Sequence, residues 1–344
     1  MRNASVWLQQ AWSERGMLAV ALSPLAALHA LVVATRRRLY RKGWLSSGRL
    51  DVPVIVVGNL VAGGAGKTPT VLALLRTLRA AGHTPGVISR GYGRRGDAVR
   101  EVRRDTSVAE AGDEPLLIRL RGDVPVVVGR DRLAAAARLR HLHPEVDVIV
   151  TDDGLQHLRL ARDVQVMVFD ERGVGNGWLL PAGPLREPLP DRLPPRTVVL
   201  YNATRPTTPL PGALAERCLA GALALDAWWR GEAASLDTLR ALRGRPLVAA
   251  AGLARPERAF GMLRDAGLQI EPLALPDHYA YDTLPWPAGT ADVIVTEKDA
   301  VKLEVQRMGA TRVWVATLDF VPDPRFDADV LRFLTERRNA PAAA

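Results

Sequence analysis

The sequence contains very little cysteine, lysine or aromatic side chain. Cys218 is its single cysteine, lysine occurs four times, and Phe, Trp and Tyr together make up 5% of the residues. One cysteine excludes a disulfide framework and a cysteine-based zinc site, and it is typical of a reducing compartment. No internal repeat and no nucleophile elbow of the hydrolase type is present. Because arginine supplies nearly all of the basic residues, each lysine is expected where the chemistry of lysine is needed.

Charge of one sign is also scarce over most of the chain. The net charge is +9, but residues 1–50 carry +7 of it and the remaining residues only +2. This distribution argues against a protein that coats nucleic acid, and against a nucleic-acid-dependent ATPase, which needs basic residues around its site. The length of 344 residues suggests two domains. A hydrophobic fraction of 48% with 24% charged residues excludes a disordered chain and a multi-pass membrane protein.

The basic N-terminal region contains an uncharged apolar run at 17–34. Aromatic residues flank it and cations follow it, namely Trp7, Trp12, Tyr40 and Trp44, and Arg36, Arg37, Arg38, Arg41 and Lys42. This arrangement predicts a helix that lies in or dips into the cytoplasmic leaflet of a membrane. An ordinary buried helix and a helix that spans the membrane are the alternatives. A cleaved signal peptide is disfavoured, because the run starts late and a nucleotide site follows it.

A phosphate-binding loop follows the first predicted strand. The strand is the β-branched run 52–58, and a helical pattern that closes on Gly82 follows the loop. In this context the backbone of the segment Gly63, Gly64, Ala65 and Gly66 is expected to cradle phosphates. Lys67 is expected to reach the β- and γ-phosphates of ATP, and the Thr68 hydroxyl to bind Mg²⁺. The match to the Walker A pattern is imperfect, since Val61 stands where its first glycine is expected.

Two adjacent acids end a second apolar strand at 146–153. Asp152 or Asp153 is expected to hold Mg²⁺ directly or through water, although two such residues can also simply cap a turn. The runs 124–129 and 164–170 predict further parallel strands, with a helix at 131–143 between them. The fold class predicted for this half is therefore a doubly wound, mostly parallel α/β unit.

Proline is dense between residues 181 and 211, which predicts a boundary or linker. Beyond it, strands near 246–253, 268–275, 291–295 and 312–318 with a helix at 256–266 predict a smaller α/β domain. The expected organisation is a membrane-associating region at 1–45, a phosphate-loop domain at 46–197, the smaller domain at 198–318 and a C-terminal region at 319–344. That last region is predicted to hold a helix at 325–337 that folds back on the first domain, followed by a frayed tail.

Eight sequence blocks occur in an order that resembles one enzyme family. They are GNLVAGGAGKTP, SRGYGR (89–94), GDEP (112–115), TDDGLQH (151–157), PAGPLRE (181–187), GLARPER (252–258), DHY (277–279) and VTEKDAVK (295–302). Together they resemble the tetraacyldisaccharide 4′-kinase family, whose own loop also lacks the first Walker glycine. The resemblance implies two α/β/α domains, with ATP and Mg²⁺ as cofactors. It also implies transfer of the γ-phosphoryl group to the 4′-hydroxyl of an acylated glucosamine disaccharide 1-phosphate, by a monotopic enzyme on the cytoplasmic face of the bacterial inner membrane.

The resemblance also implies a catalytic Asp113–His278 pair. Asp113 begins a predicted helix at 113–121, where an aspartate could serve only as a helix cap, and His278 is a lone histidine in a loop. Because the two residues lie in different halves of the chain, catalysis is expected to depend on domain closure.

Further roles are expected for residues of the other blocks. Thr296, Glu297, Lys298 and Asp299 face the nucleotide or act in domain closure, with a capped helix start as the alternative. Arg186 serves the γ-phosphate and Glu187 the Mg²⁺ ion, while Arg90, Tyr92 and Arg94 bind the anionic sugar phosphate. The expected partners are the lipid A disaccharide precursor and the membrane surface, without nucleic acid, and the enzyme is expected to be a monomer. The alternative from another class is a membrane-associated P-loop switch that hydrolyses nucleotide without a small-molecule acceptor, in which SRGYGR, GDEP and DHY have no evident role.

Overall fold

The computed structural model describes residues 12–339, so Trp7 and the predicted frayed tail beyond residue 339 lie outside the described residues. The described chain forms two compact units that are each assembled from separate stretches of sequence. The first unit contains the residues up to Arg90, then Gly129–Glu216, then the residues from Val321 onward. The second contains Gly91–Val128 and Arg217–Phe320.

The first unit is built on a parallel sheet of apolar strands. Its five strands are β1 (Val54–Gly58), β2 (Pro85–Ser89), β5 (Val148–Asp152), β6 (Val164–Asp170) and β7 (Thr197–Asn202). They lie in the order β7-β6-β1-β5-β2, and each neighbouring pair is parallel. Every residue of β1 and β5 is buried, which explains why both read as unbroken apolar runs. The carboxyl ends of β1 and β5 carry the loop and the acids that the sequence singled out.

Helices complete the first unit: α1 (Met17–Arg41), α2 (Lys67–Ala80), α5 (Arg132–Leu142) and α10 (Pro324–Asn339). Asp131 caps the N-terminus of α5, since its carboxylate accepts hydrogen bonds from the N–H groups of Leu133 and Ala134. The C-terminal helix α10 packs on the phosphate-loop unit, as the sequence predicted. Its Asp327 accepts a hydrogen bond of 2.6 Å from Thr77 of α2.

The second unit has its own set of strands and its own core. Its elements are β3 (Arg100–Val102), α3 (Val108–Ala111), α4 (Asp113–Gly122), β4 (Val126–Val128), β8 (Ala213–Ala224), α6 (Leu225–Arg230), α7 (Leu236–Ala241), β9 (Leu247–Ala251), α8 (Pro256–Asp265), β10 (Ile270–Ala274), β11 (Asp292–Thr296), α9 (Glu297–Ala300), a 3₁₀ turn (Val305–Arg307) and β12 (Arg312–Pro322). The sheet order is β10-β9-β11-β12-β8, and the strands from β10 to β12 are parallel. Its apolar core includes Leu247, Phe260, Leu263 and Ile294.

Several details differ from the sequence predictions. The run 124–129 was predicted to be a parallel strand, and β4 also has an antiparallel neighbour, β3. The proline-dense stretch is not a linker, because it contains β7, which pairs along its whole length with β6. The segment Gly91–Val128, expected in the phosphate-loop domain, groups with the second unit. Strand β8 was not predicted, since its Ala- and Leu-rich sequence has no strand pattern.

Helix α1 is longer than the uncharged run and continues through Pro24 to Arg41. Within it only Ala19 and Ala26 are buried. By length and composition alone it is apolar enough to cross a membrane. Most of its large apolar side chains, including Leu28 and Leu31, are exposed, which a helix in a protein core would not show.

Candidate active site

The loop between β1 and α2 has the backbone of a phosphate-binding loop. Gly63 and Gly66 adopt left-handed φ angles of +92° and +93°, which other residues tolerate poorly. Lys67 begins α2 and is buried, while the Thr68 side chain beside it is partly exposed. The loop therefore ends at a helix N-terminus, where unpaired N–H groups and the helix dipole favour an anion.

Asp153 is the acid that contacts the predicted phosphate-binding lysine. Its Oδ1 lies 3.8 Å from the Lys67 Nζ, and Arg186 Nη1 lies 3.2 Å from both of its carboxylate oxygens. Burial opposes ionisation of this carboxyl, but the charges of Lys67 and Arg186 outweigh it and lower the pKa of Asp153 below its ordinary value. Asp153 is thus a carboxylate that holds two cations of the site in place.

Asp152 at the end of β5 is almost completely buried. Arg132 lies near it and was not predicted to belong to the site. Arg132, at the start of α5, is 3% exposed and donates to the Gly129 carbonyl at 2.9 Å. Burial lowers the pKa of Arg132 to about 10, although Asp152 and Asp153 oppose that shift. The buried guanidinium of Arg132 balances the negative charge of Asp152 and Asp153. Its signal in the sequence was an arginine directly after the helix cap Asp131.

Glu187 lies against the N-terminal helix. Its carboxylate pairs with Arg37 at 3.3 Å, and one residue earlier the Arg186 carbonyl lies 3.1 Å from His29 Nε2. Burial raises the pKa of Glu187, while Arg37 and other nearby cations oppose the rise. These contacts tie α1 to the PLRE block of the first unit.

The oxygen donors near the phosphate-binding loop suit an Mg²⁺ ion that is bound together with a nucleotide. In the described part of the chain, no group of three His, Cys, Asp or Glu side chains is arranged to hold a metal by itself. Mg²⁺ in nucleotide sites usually takes only one or two carboxylates and completes its shell with water and phosphate oxygens. Thr68, Asp152 and Asp153 provide hydroxyl and carboxylate oxygens of that type.

In the second unit, Asp113 and His278 form a direct hydrogen bond. The His278 Nδ1 lies 2.7 Å from Asp113 Oδ2, across 165 positions of sequence. Because an ionised carboxylate only accepts, Nδ1 must carry the proton and donate. His278 has a left-handed φ of +58°, a backbone conformation that a histidine holds only under constraint. Both residues belong to one compact unit, so the expected separation of the pair into different domains is not observed.

Two lysines lie beside the same carboxylate. Lys302, 4% exposed at its side chain, has its Nζ 3.6 Å from Asp113 Oδ2 and 3.7 Å from Asp299 Oδ1. Lys298 pairs with Glu114 and with Asp277, each at 3.3 Å. Burial opposes ionisation of Asp113, but the hydrogen bond from His278 and the two lysine charges lower its pKa to about 2. Asp113 is therefore a carboxylate throughout the physiological range.

Two glycines bring the SRGYGR and GDEP blocks together. Gly91 has φ of +69° and Gly112 φ of +88°. A Cβ on Gly112 would lie 2.8 Å from the Tyr92 carbonyl oxygen, and one on Gly91 would lie 2.8 Å from that of Ala111. Only glycine permits this approach, which sets Asp113 at the first turn of α4. The glycines in both blocks were the sequence signal for this contact.

Three side chains of the VTEKDAVK block are occupied by contacts within the second unit. Glu297 accepts from Trp228 Nε1 at 3.1 Å and pairs with Arg121 at 3.0 Å. Asp299 is fully buried and accepts from the Gly252 N–H and from Thr296. Their contact with nucleotide stays a prediction. Binding of the sugar phosphate by Arg90, which is exposed, and by Arg94, which is partly exposed, also stays a prediction.

Tyr92 lies close to the Asp113–His278 pair. It is 65% exposed, and its ring centroid is 5.3 Å from that of His278. An exposed aromatic ring beside a candidate base offers an apolar face on which a sugar ring can stack. The SRGYGR block therefore reaches the Asp113–His278 pair through Tyr92.

The contact between Asp113 and His278 predicts the titration of the imidazole. The hydrogen bond that His278 donates to Asp113 raises the pKa of His278, while burial and Lys298 oppose that rise. Replacing Asp113 with asparagine removes the carboxylate that favours the imidazolium, so the pKa of His278 is expected to fall, and the ring to lose its proton at a lower pH. Histidine NMR titrations of the wild type and Asp113→Asn, assigned with His278→Gln, measure the difference. An unchanged or higher pKa in the variant would contradict the contact.

Comparison with known proteins places these features in one family. A profile of the family described as tetraacyldisaccharide-1-P 4′-kinase matches residues 18–335. The chain is 60% identical over 327 residues to a tetraacyldisaccharide 4′-kinase from Methylibium petroleiphilum, which covers 94% of this chain and 91% of that one. A protein of the same name from Leptothrix cholodnii is 56% identical over 335 residues, with 96% of both chains covered.

A solved structure resembles the whole fold. The crystal structure of LpxK from Aquifex aeolicus in complex with ATP aligns with a TM-score of 0.75 and 28% sequence identity. The alignment covers 92% of this chain and all of the Aquifex chain. The fold is thus similar to that of a protein that was crystallised with ATP.

Proposed function

The chain belongs to the tetraacyldisaccharide-1-P 4′-kinase family, and from that premise we propose which residues perform its reaction. The enzyme is a kinase that transfers the γ-phosphoryl group of ATP to the 4′-hydroxyl of a tetraacylated glucosamine disaccharide 1-phosphate. The observation that carries the residue assignment is the buried Asp113 carboxylate bonded to His278 at 2.7 Å. A nucleotide switch without an acceptor has only an attacking water to orient, not a substrate hydroxyl.

The first unit supplies the ATP site in this proposal. The N–H groups of residues 63–66 bind phosphate oxygens, and Lys67 stabilises the charge on the β- and γ-phosphates. Thr68 and Asp152 or Asp153 hold Mg²⁺, with Glu187 as a further candidate ligand. The ion, when bound, neutralises phosphate charge. Arg186, held 3.2 Å from the Asp153 carboxylate, is oriented to serve the γ-phosphate.

The second unit supplies the group that receives the acceptor proton. A bond forms between the sugar 4′-oxygen and the γ-phosphorus as the bond from that phosphorus to the ADP oxygen breaks. The hydroxyl proton passes to Asp113. Because the pKa of Asp113 is about 2, the carboxylate is too weak a base to ionise the hydroxyl beforehand. It orients the hydroxyl and takes its proton late, once the new bond has made that proton acidic.

Other residues are proposed to bind the substrates around these centres. Tyr92 stacks on the disaccharide beside His278, while Arg90 and Arg94 bind anionic groups of the sugar phosphate. Thr296, Glu297, Lys298 and Asp299 are proposed to face the nucleotide or to act in domain closure. The Lys298 contacts with Glu114 and Asp277 also hold the segments that carry Asp113 and His278. We propose a monomer as the working unit.

The N-terminal helix is proposed to bring the enzyme to its lipid substrate. Leu28 and Leu31 of α1 are 58% and 64% exposed, and the cations Arg36, Arg37, Arg38, Arg41 and Lys42 follow at its end. Apolar area of this kind, combined with a basic collar, favours an anionic membrane surface. The need for ATP supports the cytoplasmic face of the inner membrane as the location.

Charges placed on that apolar face should release the protein from membranes. The double variant Leu28→Glu and Leu31→Glu is expected to lose most of its flotation with vesicles of phosphatidylethanolamine and phosphatidylglycerol, because buried apolar area is replaced by charge. Its activity on substrate dispersed in detergent should persist. Leu236→Glu, which changes an exposed leucine of α7, is the matched control and should float like the wild type. Equal flotation of the double variant would contradict membrane binding by this face.

The reaction itself is tested by the position of the new phosphate. Full-length protein, ATP and Mg²⁺ are incubated with the tetraacyl disaccharide 1-phosphate, and the lipid is analysed by mass spectrometry and phosphorus NMR. The proposal predicts a gain of one phosphoryl group as a second monoester on the 4′-oxygen. A diphosphate at position 1, or a lipid with unchanged mass, would refute it.

A further inference from the structure

The Arg172 side chain donates hydrogen bonds to the backbone of the phosphate-binding loop. Its guanidinium donates from Nη1 to the Ala62 carbonyl at 3.1 Å and from Nη2 to the Gly64 carbonyl at 3.0 Å. The same side chain donates from Nε to both carboxylate oxygens of Asp170, each at 3.0 Å. Asp170 ends β6 and is 1% exposed, so it is a rigid anchor. A single planar group thereby ties two alternate carbonyls of the loop to the end of a neighbouring strand.

Two asparagines bind carbonyls that Arg172 does not reach. Asn59, at the end of β1, donates from Nδ2 to the Val61 carbonyl at 2.6 Å and to the Gly63 carbonyl at 3.0 Å. Asn202, at the end of β7, donates from Nδ2 to the Ala65 carbonyl at 3.0 Å. Both side chains are buried. The donors come from the ends of two strands of the same sheet.

Every carbonyl of residues 61–66 is consequently held by the protein, since that of Gly66 accepts from Thr70 Oγ1 at 2.9 Å. The amide groups of the loop behave in the opposite way. Within residues 12–339, the N–H groups of residues 63–66 have no protein hydrogen-bond partner. Fixing all carbonyls on the protein side leaves the donors of the loop for an anion, which is the arrangement of a backbone nest.

The bonding of Arg172 argues for a role in shaping the loop rather than in binding phosphate itself. Its charge is neutralised by the bidentate contact with Asp170, and both of its Nη atoms are engaged by loop carbonyls. A Cβ on Gly63 would lie 3.1 Å from Arg172 Nη1, so the guanidinium packs closely under the loop. Val61, which replaces the first Walker glycine, has its carbonyl fixed by Asn59 in the same way.

We propose that Arg172, with Asn59 and Asn202, is a positioning residue that holds the loop carbonyls away from the nucleotide and so preorganises the loop amides for the α- and β-phosphates. The proposal rests on the proposed function, because it takes ATP as the ligand of this loop. It adds a source of nucleotide affinity outside the GGAGKT segment. No contact of Arg172 with the γ-phosphate is part of it.

Nucleotide binding by Arg172 variants tests the proposal. The Kd values of MgATP and MgADP are measured by calorimetry for the wild type, Arg172→Gln and Arg172→Lys. Loss of the two carbonyl contacts should weaken both nucleotides by about tenfold or more, and by the same factor, because the loop amides contact phosphates that ATP and ADP share. Lysine keeps the charge but cannot bridge two carbonyls and a carboxylate, so Arg172→Lys should not rescue binding.

A control and a second variant make the result decisive. Arg140 also bridges two backbone carbonyls, those of Pro144 and Val146, and pairs with Asp51. It has no contact with the loop among the described residues, so Arg140→Lys should leave both Kd values unchanged. Asn202→Ala removes the donor to Ala65 alone and should weaken ATP and ADP equally, by less than Arg172→Gln does. Unfolding temperatures without nucleotide identify any variant that has lost its fold.

The outcomes separate this proposal from the function on which it rests. Loss of ATP affinity with ADP affinity retained would overturn it in favour of a direct γ-phosphate contact. Rescue by Arg172→Lys, or unchanged binding in folded Arg172→Gln and Asn202→Ala, would also overturn it. If the wild type bound neither nucleotide, the proposed function would fail, and this proposal with it.

Discussion

Replacing Asp113 with asparagine is expected to lower kcat by about 10²- to 10⁴-fold while leaving the Kd for ATP nearly unchanged. Asparagine has almost the same shape but cannot accept the proton of the 4′-hydroxyl. The carboxylate is 4% exposed and is bonded by His278, so no water-borne base can easily take its place. The loss should appear in the chemical step, measured by single-turnover formation of phosphorylated lipid at saturating ATP.

The size of the effect separates a catalytic role from a helix cap. Asp113 also begins α4, and a cap alone would change the unfolding temperature rather than the rate of phosphoryl transfer. His278→Gln should lower kcat less, since it weakens the orientation of the base without removing it. Asp265→Asn, at an exposed aspartate of the same unit, is the matched control and should retain full activity. A near-wild-type kcat for Asp113→Asn would remove it from the mechanism.

Lys67→Met is expected to lower kcat/KM for ATP by about 10²- to 10³-fold, the range found when one charged group that stabilises a transition state is lost. Lys67 lies at the first position of α2, where its buried stem directs the ammonium group toward Asp153. Without that charge, negative charge on the transferring phosphoryl group is left uncompensated in a site of low dielectric. Initial rates over a range of ATP concentrations give the quantity directly.

Two further variants show whether position or mere charge matters at this site. Lys67→Arg keeps the charge but needs more room than a buried lysine leaves, so it should not restore activity. Arg79→Met removes an exposed cation from the other end of the same helix and should behave as the wild type. Equal losses for Lys67→Met and Arg79→Met would mean that only the general positive potential of the helix contributes.

The phosphate loop was the most predictable part of the molecule, because all of its signals are local. A buried strand, a glycine-rich turn and a helix follow one another without interruption, and the predicted strand at 52–58 and the helix pattern before Gly82 became β1 and α2. The acids at the end of β5 were predictable for the same reason. Local patterns of this kind depend on near neighbours in sequence, which one chain fully displays.

The assembly of the second unit could not be read in this way. Residues 91–128 precede β5 in sequence yet group with Arg217–Phe320, since pairs such as Asp113 with His278 and Arg121 with Glu297 join segments far apart in the chain. Strand β8 has a composition that favours helix, and its place in the sheet comes from tertiary pairing. The contact of Asp113 with His278 was expected only through resemblance to a family, because neither residue alone distinguishes a base from a cap.

The residues that surround the predicted ones were missed altogether. Arg132 beside Asp152, and Arg172 beneath the loop, stand in an arginine-rich chain where one arginine looks like any other. Lys302 was different, since lysine is rare here and the scarcity itself pointed to a specific role. Its burial between Asp113 and Asp299 agrees with that expectation. Composition can thus mark a residue for attention before any partner is known.

Transfer of the phosphoryl group of ATP to a lipid acceptor is tested most directly by the ratio of ADP released to lipid phosphorylated. ADP release and lipid phosphorylation are measured in the same reaction with full-length protein, Mg²⁺ and the disaccharide 1-phosphate, and Asp113→Asn is run in parallel. We expect one ADP for each phosphorylated lipid, with both signals lost together in the variant. ADP formed at the same rate with and without lipid, and no phosphorylated product, would contradict it and would favour a nucleotide-hydrolysing switch.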